Sequence, residues 1–154
     1  PFHRYTMIRF KMMNGRLYKE MELDSILFPE PFNSRIKYFV GLNYEKRGDL
    51  KSAISIAEKL NAENPLFTPG VIFYSTLCDT LNEPLKGYNA LLRGLWFNPG
   101  SIGLFKKYVF SALKVGRRED ARDALEKLRG HLDSLEFVTF TEEFEKKVRE
   151  LDKW

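Results

Sequence analysis

The sequence predicts an all-α fold, a solenoid of antiparallel helix pairs. Two observations carry that expectation. Small and turn-forming residues return every 34 positions. Within each period the apolar residues fall into two stripes of helical spacing. Pro31, Pro65 and Pro99 keep the step, as do Gly48, Asn82 and Gly116. So do Ala53, Gly87 and Ala121, and Tyr44, Cys78 and Ala112. Several such positions in one register are hard to obtain by chance.

The run NSRIKYFVGLNYEKR opens the clearest unit. Ile36, Phe39, Val40, Asn43 and Tyr44 share one helical stripe, and Asn33 or Ser34 can cap its start. Gly48 suits the left-handed residue that ends such a helix. Asp49 then caps a second helix, with Leu50, Ala53, Ile54, Ala57 and Leu60 facing inward. Two antiparallel helices joined by a short turn must approach closely. Ala53 and Ala57 lie four apart on one face, where a larger side chain would push the helices apart. Pro65 cannot continue a helix and disfavours helix at Asn64.

The ends read differently. TEEFEKKVRELDKW predicts a final helix capped by Thr141, with Glu142 and Glu143 near its N-terminus. Phe137, Phe140, Phe144, Val148 and Leu151 form its apolar stripe. The pairs Glu142–Lys146 and Glu143–Lys147 stand at supportive spacing on the other face. Such a helix closes the exposed core face of a solenoid. Residues 1–33 allow two readings. Alternation around Asn14-Gly15 suits a β-hairpin. The Met, Leu, Lys, Glu and Arg content suits a degenerate helical repeat. The expected organisation is residues 1–33 as that N-terminal element, 34–135 as three repeats and 136–154 as a capping helix.

These residues resemble the tetratricopeptide repeat, whose units pair two helices in a right-handed solenoid. Gly41, Tyr44, Ala53 and Pro65 supply the family's small, aromatic, small and proline positions in unit 34–67. Unit 68–101 matches through Ser75, Gly87 and Pro99, with Cys78 for the aromatic. Unit 102–135 keeps Gly116 and Ala121 but carries Val109, Ala112 and Asp133. The resemblance covers about two thirds of the chain.

Composition narrows the function classes. The 154 residues suffice for one domain with a sizeable core. Thirteen phenylalanines and seven tyrosines point to ring-filled contacts or a partly exposed aromatic groove. The charge of +4 is mild and the basic residues alternate with acids. That pattern lacks the concentrated patch that nucleic acid favours. No apolar run approaches the ~18 residues of a membrane span. The first residue is Pro1 rather than methionine, as expected for a module of a longer chain; no compartment is assigned.

No catalytic or metal site is expected, and no cofactor. His3 and His131 are the only histidines, too few for a histidine-based cluster or dyad. His131 suits a helix end, and Cys78 takes the place of an inward aromatic. Glu142 and Glu143 are adjacent and do not face each other on a helix. The glycines of GRLYKE and PGSIG form no phosphate loop.

What remains is a surface for a protein or peptide. In the resembled family the first helices line a concave face that holds a peptide or a partner's helix. The matching positions are Arg35, Tyr38, Leu42 and Glu45, then Ile72, Thr76 and Asp79, then Lys106, Phe110 and Lys114. Tyr38, Leu42, Ile72, Thr76 and Phe110, with Arg35 and Lys106, are the expected contact residues. One subclass of the family clamps acidic C-terminal tails. Its positions read Tyr38, Leu42, Phe73, Gly103 and Lys107 here, of which only Lys107 is basic, so that clamp is not supported. The expected function is thus a protein-interaction scaffold. Its rivals are an accessory repeat domain of an enzyme such as a glycosyltransferase or membrane polymerase, and a small secretion-type chaperone.

Overall fold

A computed structural model describes residues 33–153. The hairpin-or-helix question, His3 and Pro31 lie outside the described residues. Seven helices follow in order among those residues: α1 Ser34–Lys46, α2 Leu50–Glu63, α3 Thr68–Thr80, α4 Pro84–Phe97, α5 Ile102–Lys114, α6 Arg118–Leu128 and α7 Ser134–Leu151. The fold is all-α, and helices adjacent in sequence pack as pairs. The chain divides into two compact units within α3, the first ending at Leu77 and the second beginning at Cys78.

In the first unit Asn33 starts α1. Its Oδ1 accepts the Arg35 and Ile36 N–H groups, both at 3.1 Å, satisfying two of the donors a helix start leaves free. The Ser34 hydroxyl instead accepts the Asn64 side-chain amide at 2.8 Å, tying the end of α2 to the start of α1. Gly48 has φ +78°, a region open to glycine at little cost. Asp49 then caps α2, accepting the Ser52 N–H at 3.0 Å. That backbone bond lowers the Asp49 pKa.

Ile36, Val40 and Tyr44 meet Ala53, Ala57 and Leu60 in the buried seam of α1 and α2. Phe39, Leu50 and Ile54 are half-buried at its edge. Full burial of a Leu or Ile side chain contributes about 1.5–3 kcal/mol. Lys37 is buried against α2 with its ammonium on Glu63. The chain leaves α2 at Asn64, with φ −140° and ψ 77°, a non-helical conformation consistent with the bar that Pro65 places on helix at its predecessor. Gly70 lets α3 close on α2: a Cβ there would lie 2.8 Å from Leu60 Cδ2.

The second unit repeats these devices. Asn82 carries φ +58° and Gly116 φ +77°. All three turn positions of the 34-residue register are therefore left-handed. Pro84 opens α4, where a missing N–H costs nothing. Ser101 caps α5 through the Leu104 N–H. Gly87 is buried on α4, and Ala121, Ala124, Leu125 and Leu128 are buried on α6. Cys78 is a fully buried thiol, which fits its reading as a small core residue.

One local expectation is corrected. Helix α7 begins at Ser134, not at Thr141, because Asp133 accepts the Glu136 N–H at 2.8 Å and caps it. Thr141 lies inside the helix and donates to the Phe137 carbonyl at 2.8 Å. Lys147 pairs with Glu150 at 2.8 Å; that bond raises its pKa, and the Glu143 charge four residues earlier also raises it, as the spacing suggests. Phe144 and Val148 of α7 are buried, Phe137 and Phe140 half-buried, and Leu151 exposed. Contact between α7 and α5 closes the second unit.

Candidate functional site

The expected contact residues fall in both units. In the first, Arg35 is exposed and Tyr38 and Leu42 half-buried on α1, with Ile72 and Thr76 half-buried on α3. Tyr38 belongs to a ring cluster, with centroids 5.6 Å from Phe39, 5.8 Å from Phe67 and 5.6 Å from Phe73. The last two contacts are edge-on, the arrangement aromatic quadrupoles favour. Gly41 makes room for Phe73 within this cluster. Burial, and then the Glu45 charge, raise the Tyr38 pKa, so the ring stays neutral. The Thr76 hydroxyl donates to the Ile72 carbonyl at 2.9 Å, and its proton is thus already engaged.

In the second unit the acidic position Asp79 is neutralised. Asp79 Oδ2 accepts Lys114 at 2.7 Å and Lys107 at 3.0 Å. Burial alone would raise the Asp79 pKa. The hydrogen bonds from Lys114 and Lys107 outweigh it and hold the carboxyl below its ordinary value. Lys106 pairs with Glu136 at the start of α7.

Phe110 meets Phe140 edge-on at 5.1 Å and lines a groove of about 440 Å³ between α5 and α7. Leu113 and Leu151 extend its apolar surface, and Lys114, Glu143, Lys147 and Glu150 rim it. Helix α7 therefore contributes a wall that the contact positions on α1, α3 and α5 omitted. The signal was present: Glu143, Lys147, Glu150 and Leu151 share one helical face. What it lacked was a reason to prefer that face over any solvated one.

Among the described residues, no group of three or more His, Cys, Asp or Glu could hold a metal ion. No helix there is long and apolar enough to cross a membrane.

No family model matches the sequence, and no curated protein matches it. Solved structures do. TTC0263, a thermophilic TPR protein of Thermus thermophilus, is 16% identical with a TM-score of 0.69, over 94% of this chain and 79% of that one. A crystal structure of MamA gives 18% and 0.67, over 82% and 72%. MamA AMB-1 gives 20% and 0.56, over 70% of this chain. The chain spans 64% of that MamA, less than two thirds of its length. The architecture is therefore the tetratricopeptide-repeat fold.

Proposed function

We propose that this chain is a protein-interaction scaffold that seats a partner's peptide or helix in the groove between α5 and α7. The observation that supports this most is the half-buried ring of Phe110 in an apolar groove, in a fold of this kind. A concave wall of rings and aliphatic chains gives a partner side chain area to bury, and charged rims set its register. Lys106 is engaged by Glu136, so an acidic partner residue gains only the difference between two ion pairs there. Phe110 is the anchor and Lys106 sets orientation. In the first unit Tyr38, Leu42 and Ile72 offer an apolar contact surface, with Arg35 and Thr76 at its margin.

On this reading residues 34–135 form three working repeats and 136–154 close the last, their helix also walling the groove. The test is retrieval of partners by the full chain and by Phe110→Ala. A folded variant that loses partners the parent retains supports the groove. A folded variant that keeps them all removes it.

A further inference from the structure

We propose that a second groove, between α4, α5 and α6, binds an arginine side chain of a partner protein. The guanidinium would lie against Trp96 and hydrogen-bond to Asp123 and Asp120. Trp96 is 84% exposed, more than any other large apolar side chain among the described residues. With Leu92, exposed four residues before it on the same groove, it forms an apolar patch of the kind that contact sites use. Beside it lies a groove of about 360 Å³ with Leu92 and Phe105 on its apolar wall and Tyr108, Asp120, Asp123 and Lys127 on its polar wall.

The polar wall has a defined hydrogen-bond polarity. The Tyr88 hydroxyl donates to Asp120 Oδ2 at 3.1 Å. A phenol has one proton, so the Tyr108 hydroxyl is the donor across the 3.2 Å contact to Tyr88. Burial, then the bond to Tyr88, raises the Tyr108 pKa and keeps that proton in place. Both phenol protons are thus spent inward. The oxygens of Tyr108, Asp120 and Asp123 remain as acceptors.

Asp123 makes no hydrogen bond or ion pair among the described residues. Arg117 stands 4.0 Å from Asp120, too far for a strong bond. Among the described residues on the lining, Lys127 is the only cation, against two carboxylates.

A wholly apolar occupant would desolvate these carboxylates without replacing their water, which is costly. A cation that also covers rings meets both demands. Guanidinium does so better than ammonium: it is planar, weakly hydrated, stacks on indole and presents five donors in a fixed fork. The proposal is independent of the groove that holds Phe110.

The test uses the full chain with Trp154→Phe, which leaves Trp96 as the sole indole of the two tryptophans. The probes are acetyl-Leu-Arg-Leu-amide and its citrulline counterpart, which keeps the shape and loses the charge. The arginine peptide should change Trp96 emission saturably, with the citrulline peptide about tenfold weaker. Asp123→Asn should erase most of that preference with helical circular dichroism unchanged. Lys127→Gln, which removes the competing cation, should tighten arginine binding, and Phe110→Ala should leave it unaltered. Equal responses to the two peptides, no saturation, or an unaffected Asp123→Asn variant would overturn the proposal. So would a concentration-dependent dimer in sedimentation that Trp96→Ala abolishes, since the face would then belong to a second copy.

Discussion

Gly41 and Phe73 are matched to each other: a Cβ on Gly41 would fall 2.7 Å from Phe73 Cε1. The ring cannot readily retreat, because Phe73 is buried and stands edge-on to Tyr38. Gly41→Val should therefore destabilise the protein by about 1–3 kcal/mol through overpacking. Phe73→Leu should relieve part of that loss in the double variant. Urea midpoints for the four proteins check this, and strictly additive effects would show that the two sites are uncoupled.

Ala53 makes the same point for the seam of α1 and α2, where it has no exposed surface. Ala53→Leu should cost about 1–3 kcal/mol. An unchanged denaturation midpoint would mean that the seam opens at little cost.

Turn positions in the 34-residue register give a prediction of opposite sign. Asn82 occupies, at φ +58°, the role of Gly48 and Gly116. Asn82→Gly should leave stability unchanged or raise it. Asn82→Val should lower it by about 1–2 kcal/mol, the cost of a left-handed branched residue. Thermal midpoints of the two variants that moved together would contradict this account.

Much of the fold was legible because its determinants are local. A left-handed turn needs Gly or Asn, a close seam needs Ala or Gly, and a helix stop tolerates Pro. Residue type alone therefore identified positions 48, 82 and 116, then 53, 87 and 121, then 65 and 99. The start of α7 was not legible in this way. Thr141 and Asp133 can both cap, and the apolar stripe gives the period of a helix without its first turn. The charges at the expected contact positions were less legible still. Asp79 is 28 residues from Lys107 and 35 from Lys114, so only packing brings them together. Asp79, an unpaired acid by its sequence neighbours, is in the fold a shared carboxylate.

That shared carboxylate predicts a pH dependence. The folded pKa of Asp79 lies below its ordinary value of 3.8. Its contribution to stability is therefore present above the unfolded value and lost as pH falls through the folded one. Asp79→Asn should destabilise the protein near neutral pH by leaving Lys107 and Lys114 unmatched. It should also flatten the loss of stability below about pH 4. Urea midpoints across that range decide it: identical slopes for parent and variant would remove Asp79 from the acid response.

Position-specific cross-linking tests the proposed interaction groove most directly. Lys147 stands on its rim, and Glu58 is exposed on α2 of the other unit. A photoreactive phenylalanine placed at each position in the full chain, in the cells that make it, reports what lies within reach. The account predicts a discrete adduct from position 147 that Phe110→Ala eliminates, and none of the same mass from position 58. Adducts of equal yield from both positions, or an adduct at 147 that persists in Phe110→Ala, would contradict it.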